Sequence, residues 1–294
     1  MINTIRGVVS ATHLLLNTVF WCTLLYIFAL LRLILPFHST RNLCAAMITQ
    51  IAELWIACNR AGLATLQNIT WTVRGLETLN PERSYLVCAN HQSWTDIVIL
   101  QTVFNRRIPF LRFFIKQELI YVPLLGLAWQ ALDFPRMKRH SKEFLEKHPE
   151  KRGEDLATTR RFCERLRGKR ISVLNFLEGT RFSRSKHARQ QSPYKNLLKP
   201  KTGGLAFVIE TMGDQFHSLL DVTIYYPAGA VELWGLLSGG LKEAVVEVRE
   251  IPIPKDLIGG SYLEDAKYRE RMQQWVADLW QRKDHRLSEL KGEA

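Results

Sequence analysis

Cysteine is scarce and scattered. The five residues, Cys22, Cys44, Cys58, Cys88 and Cys163, are odd in number and sit mostly in apolar contexts. That distribution argues against a disulfide frame and reads as buried thiols in a reducing compartment. It also lacks the paired spacing of a zinc site, and no cluster of histidine, cysteine and carboxylate stands in for it, so no metal is implied. There is no G-x-S-x-G elbow for a serine nucleophile, no Walker A loop and no dinucleotide fingerprint. No internal repeat or low-complexity tract breaks the chain. Acidic residues are in deficit, 28 Asp and Glu against 40 Lys and Arg, which leaves a formal charge of +12. Such a balance implies a negatively charged partner: nucleic acid, anionic lipid headgroups or a phosphorylated substrate. No nucleic-acid-binding signature accompanies it.

Charge is missing altogether from Val8 to Leu31, "VVSATHLLLNTVFWCTLLYIFALL". The run is long enough to cross a bilayer. A cleavable signal has a shorter apolar region ending in small residues, and "CAA" at Cys44–Ala46 comes too late for one, so an uncleaved anchor is expected. His13 and Asn17 lie inside the run and read as tolerated polar residues. Arg6 precedes it, whereas Arg32, Arg41 and Arg60 follow, which by the positive-inside rule places the bulk of the chain in the cytoplasm. A second apolar stretch, Leu43–Cys58, carries Gln50 and Glu53. Its stripe of Cys44, Met47, Ile48, Ile51, Leu54, Trp55 and Cys58 reads as an amphipathic helix on the membrane or the domain, or as a weak second span.

Beyond this the pattern alternates between strands and helices. "TWTVRG", "SYLVCA", "ISVLNFLEGT" and "LLDVTIYYP" read as strands, and "AVVEVREIPI" as an edge strand. Helices are expected over "SWTDIVILQTVF", over Asp155–Arg167 and over Tyr262–Leu290, the last with Met272, Trp275, Val276, Leu279 and Trp280 on a docking stripe. "RIPFLRFFIKQELIYVPLLGLAWQALDF" reads as core. The fold class that follows is α/β: a layered domain with a mostly parallel or mixed central sheet flanked by helices, behind one or two N-terminal membrane helices. The expected division is 1–66 for the anchor and amphipathic helix and 67–294 for the soluble domain.

Four groups of residues carry chemistry. His91 and Asp96 stand five apart in "CANHQSWTDIV". In a regular helix that spacing turns a side chain by roughly 140°, and in a strand it sends the two to opposite faces. They meet only across an irregular corner, which the strand before them and the helix after them supply. A histidine held by a carboxylate is fixed in one tautomer and serves as a general base; a satisfied structural pair is the plain alternative. "FLEGTR", Phe176–Arg181, ends a buried strand. Gly179 allows close backbone approach, Arg181 offers a planar fork that matches phosphate, and Glu178 orients that arginine or the substrate; an ordinary turn with a surface ion pair is the plain alternative. A basic run follows: Arg184, Lys186, His187, Arg189, Lys195, Lys199 and Lys201. "DFPRMKR" adds Arg136 and Arg139.

Several of these blocks, in this order, resemble the glycerolipid (lysophosphatidic acid) acyltransferase family. "NHQSWTD" resembles its His-x-x-x-x-Asp block, and "FLEGTR" its second signature, with Leu177 where proline is usual. "IKQELIYVPLLG" and "VTIYYP" are similar to later blocks, and "LLKPKTGG" is similar to the branch of lysocardiolipin acyltransferase and its enterobacterial inner-membrane relatives. The resemblance covers about Trp71 to Pro227. It implies that His91 deprotonates the sn-2 hydroxyl of a lysophospholipid and that Asp96 orients it. It also implies that Glu178, Gly179, Thr180 and Arg181 bind the acceptor phosphate, with Arg139, or else Arg136, as a second arginine. The implied donor is an acyl thioester on coenzyme A or acyl carrier protein, with no further cofactor. The implied partners are that donor, a lysophospholipid acceptor and membrane lipid, at the cytoplasmic side of a cell inner membrane. A non-enzymatic membrane adaptor binding anionic lipid through its basic face is the alternative.

Overall fold

The computed structural model describes residues 1–137 and 154–293. The uncharged run forms the core of helix α1 (Ile2–Ile34), and the second apolar stretch lies within helix α2 (His38–Leu66). The two pack side by side. Asn17 donates to the Asn59 side chain at 2.7 Å and to the Trp55 carbonyl at 3.1 Å, and Trp55 Nε1 donates to Thr18 at 3.2 Å. The polar residues of the first helix are therefore cross-links to the second. Gly62 permits the closest approach, since a Cβ there would lie 2.3 Å from His13 Nε2. Among the described residues only α1 is long and apolar enough to cross a membrane, and Leu15, Leu16, Phe20, Ile27 and Leu30 stand exposed on it. α2 buries Cys44, Ile48 and Ile51 of its stripe, with Ile56 beside them.

The sheet has six strands in the order β1 (Thr70–Arg74), β8 (Glu243–Ile251), β7 (Ser218–Tyr225), β2 (Tyr85–Ala89), β6 (Ser172–Phe176) and β3 (Leu111–Phe113). Every neighbouring pair is parallel except β7–β8. A two-stranded ribbon of β4 (Ile115–Lys116) and β5 (Arg136–Met137) lies apart. The mixed sheet flanked by helices is as expected, with one correction: β8 lies inside the sheet, because β1 pairs along its outer side. Its alternation reflects one wetter face, not an open edge.

Period-two alternation sends the strand side chains into two cores. Tyr85, Val87 and Ala89 join Leu220, Val222 and Ile224 under α1, α2 and helix α3 (Thr95–Phe104). Leu86 and Cys88 face the opposite layer. That layer holds helices α5 (Glu154–Leu166), α7 (Thr202–Met212) and α9 (Ala266–Leu290). α9 begins four residues later than its hydrophobic pattern, where Asp265 caps it by accepting from the amides of Lys267 and Tyr268. Among the described residues there are also three short α-helices, α4 (Leu125–Ala131), α6 (Arg184–Gln190) and α8 (Leu233–Leu237). The aromatic stretch before residue 135 is core only in part. Phe110, Phe113 and Phe134 are buried, whereas Tyr121 and Leu127 stand exposed beside α1, whose Tyr26 donates to the Leu124 carbonyl.

Candidate active site

β2 ends at Ala89 and α3 starts at Thr95, so residues 90–94 form the corner between them. Asn90 fastens this corner to β7 by donating to the Ile224 carbonyl and accepting from the Ile224 amide, at 2.9 and 2.8 Å. It replaces a missing strand pairing. The turn carries His91 back over the first turn of α3, and its Nδ1 lies 2.8 Å from Asp96 Oδ2.

Asp96 is fully buried and fully paired. Oδ2 also accepts from the amides of Gln92 at 2.6 Å and Ser93 at 2.9 Å, and Oδ1 accepts from the Tyr226 hydroxyl at 2.7 Å. Burial and the neighbouring carboxylate push the Tyr226 hydroxyl's pKa well up, so it stays a donor. The imidazole stacks on Phe176 with ring centroids 4.0 Å apart. Among the described residues its Nε2 has no hydrogen-bond partner, and its side chain is partly exposed. The ring is thus held by one nitrogen and presents the other.

Glu178 lies behind the histidine, wholly buried. Oε1 accepts from the His91 amide at 2.8 Å and Oε2 from the Leu198 amide at 3.1 Å. Both oxygens are therefore spent on the backbone, and Arg181 pairs elsewhere. Burial pushes the Glu178 carboxyl up to about 7, against the lowering by these two amides. Gly179 turns the chain with φ +65°, and a Cβ there would sit 3.0 Å from the Lys201 side chain. Thr180 and the Arg181 carbonyl both accept from Lys186 Nζ, at 2.8 and 2.9 Å. The Arg181 guanidinium lies 5.4 Å over the Trp94 ring and donates to both oxygens of Glu232, at 3.1 and 3.2 Å. Arg139 lies outside the described residues. Arg136 is on β5, where its backbone pairs with Ile115.

Trp94 also lines a cavity of about 480 Å³ between the α1–α2 pair, α3 and α8. Leu63, Ile97, Val98, Phe113 and Leu236 make its wall almost wholly apolar. Tyr226, Phe176, Trp94 and Lys186 are the site residues that sequence reasoning did not nominate as such. Tyr226 stands in "VTIYYP", already set aside as a block. Lys186 stood in the basic run, with nothing in the sequence to mark it from its neighbours.

Residues 70–227 match the family described as Acyltransferase. The 1-acyl-sn-glycerol-3-phosphate acyltransferase gamma of Homo sapiens is 30% identical over 179 residues, which cover 58% of this chain and 43% of that protein. Lysocardiolipin acyltransferase 1 of Danio rerio is 25% identical over 298 residues, covering 96% of this chain and 70% of that one. The chain thus spans less than half the length of the first relative. The crystal structure of the 1-acyl-sn-glycerophosphate (LPA) acyltransferase PlsC from Thermotoga maritima superposes with a TM-score of 0.56 at 16% identity, over 97% of this chain and 98% of that one. At that identity the likeness is one of fold.

Proposed function

The chain belongs to the acyltransferase family, and on that premise we propose that it moves a fatty acyl group from an acyl thioester, on coenzyme A or acyl carrier protein, to the sn-2 hydroxyl of a lysophospholipid, 1-acylglycerol 3-phosphate foremost. The observation that carries this reading is the histidine held at Nδ1 by a buried carboxylate, with Nε2 unpartnered among the described residues. Nε2 takes the proton of the acceptor hydroxyl as its oxygen attacks the thioester carbonyl carbon. The carbon–sulfur bond then breaks, and the imidazolium returns the proton to the leaving thiolate. Asp96 stabilises the imidazolium in between. A thioester is already activated, so a base and charge stabilisation suffice.

Both substrates carry an acyl chain and a charged head. The apolar cavity beside Trp94 fits a chain, and Arg181 over the same ring fits a phosphate. Thr180 and Gly179 complete the phosphate turn. Glu178, committed to two backbone amides, serves the histidine from behind. The experiment that tests the reaction supplies membranes containing the protein with several lysophospholipids and labelled acyl thioesters, and reads the product by mass. Lipid binding without any diacyl product would leave the adaptor reading in its place.

For the acceptor, Arg181→Lys keeps the charge and loses the fork. The Michaelis constant for lysophosphatidate should rise roughly tenfold, as for one lost charge-assisted bidentate pair, while that for the thioester holds. Diffuse attraction by the basic face forecasts otherwise: a mild mutant, and added salt weakening every acceptor alike. Equal rates with lysophosphatidate and lysophosphatidylcholine would remove Arg181 from a phosphate site.

The domain sits at the cytoplasmic face of the inner membrane in this reading, anchored by α1. Cysteines placed in Arg184–Arg189 should stay unlabelled when an impermeant thiol reagent is added outside intact cells. Labelling there would separate the site from cytoplasmic thioesters.

A further inference from the structure

The helix α9 lies wholly outside residues 70–227, yet its hydrogen bonds lead to the catalytic corner. Asp284, on its buried face, accepts from the backbone amides of Lys195 at 2.8 Å and Asn196 at 2.6 Å. Asn196 returns two bonds, to the Asp284 carbonyl at 3.2 Å and the Ser288 hydroxyl at 2.9 Å. One turn earlier Trp280 Nε1, fully buried, donates to the Leu198 carbonyl at 2.9 Å. Residues 195–198 are therefore clamped at both ends by one helix. The amide of that same Leu198 holds Glu178, whose other oxygen holds the His91 amide.

We propose that Asp284 and Trp280 are positioning residues for His91, acting through the 195–198 segment and the buried Glu178 carboxylate. This rests on the acyl-transfer reading for its kinetic consequences only.

The physical reason is that Glu178 is a buried carboxyl with two donors. Such a group holds its place only while both donors stay aimed at it. The Leu198 amide can be aimed by its own loop or by an outside support. Its carbonyl is tied to Trp280 and the amides of Lys195 and Asn196 to Asp284, so the support is α9. If the segment loosens, Glu178 loses the contact on Oε2, and the peptide that carries the histidine loses its rear stop. The Leu198 amide, with the His91 amide and the Lys283 charge, lowers the Glu178 pKa, which burial and the Asp96 carboxylate drive up. Weakening it raises that pKa further. The acid limb of the pH–rate profile should then move to higher pH, because a protonated carboxyl accepts from the His91 amide less well.

The test uses the full chain in detergent or membranes. Asp284→Asn keeps shape but turns an NH2 group toward one of two backbone donors. Trp280→Phe keeps an apolar ring but removes the indole donor together with some buried volume. Each is expected to lower kcat about tenfold, with the acceptor and donor Michaelis constants nearly unchanged, and to shift the acid limb upward. In a double-mutant cycle with Glu178→Gln the losses should be strongly less than additive, because one path carries both. Hydrogen exchange supplies a readout that needs no turnover: the amides of residues 90–94 should exchange at least several-fold faster in Asp284→Asn, while those of β1 hold. A wild-type protein without acyl transfer would overturn the reaction but leave the exchange result to stand. Unchanged exchange at 90–94, or additive losses with an unmoved acid limb, would make α9 a packing helix and overturn the proposal.

Discussion

His91→Ala should abolish acyl transfer to within the background, a loss on the order of 10²–10⁴-fold at least, the usual span for a positioned general base. Folding should survive it, because the ring is partly exposed and, among the described residues, its side chain is hydrogen-bonded to Asp96 alone. Asp96 separates charge from geometry. In Asp96→Asn the amide oxygen can take the place of Oδ2, so that the Gln92 and Ser93 amides keep an acceptor. The NH2 then faces the Tyr226 hydroxyl, which can rotate to accept. The corner stays folded while the imidazolium loses its counter-charge, so kcat should fall strongly with a near-normal melting temperature. Asp96→Ala strips the acceptor from two backbone amides at a cost of about 1–3 kcal/mol each, and should lose both activity and stability. Purified His91→Ala retaining most of its turnover would end the base mechanism. An Asp96→Asn protein as active as wild type would leave the pair structural.

The corner itself was legible in the sequence. Five residues fit neither a helix face nor a strand face, so a His–Asp contact demanded an irregular turn, and the turn is there. Tyr226 was not legible, since it arrives from 130 residues away. Its approach depends on β7 lying beside β2, a sheet order that no local pattern encodes. The same ignorance of neighbours made β8 look like an edge. Glu178 stands in a motif whose chemistry suggests substrate, and only the fold shows its oxygens turned to the backbone amides of His91 and Leu198. Hydropathy likewise could not separate the buried Phe113 from the exposed Tyr121, because an apolar side chain scores the same in a core and on a surface beside an apolar helix. One signal was present and unused. Met272, Val276, Leu279 and Trp280 set a stripe, and the next position on it is Lys283.

Lys283 has a fully buried side chain, and its Nζ lies 2.6 Å from Asp221 Oδ1, in the middle of β7. It also donates to the Val222 carbonyl. Asp221 has a second cation, Arg249, at 2.5 Å, reaching in from a half-exposed position. The partners are therefore unequal. Lys283→Met leaves Asp221 paired with Arg249 and fills the stripe with an apolar side chain of similar length, so it should be tolerated. Asp221→Asn leaves an ammonium buried among neutral acceptors and should cost about 3–5 kcal/mol, as when one member of a buried pair is removed. For a domain of this size that is on the order of 10 °C in melting temperature. The double variant Asp221→Asn with Lys283→Met removes the orphaned charge and should recover most of the loss. Thermal unfolding of the three proteins in one detergent decides it. If Lys283→Met were the most damaging, the pair would be a source of stability in itself. The expected order, Asp221→Asn worst and the double variant restored, makes it a matched pair whose function is to fix where α9 docks. Docking of α9 sets the place of Asp284 one residue further along the same helix, so the double variant should melt near the wild-type temperature and still show whether the clamp on residues 195–198 has shifted.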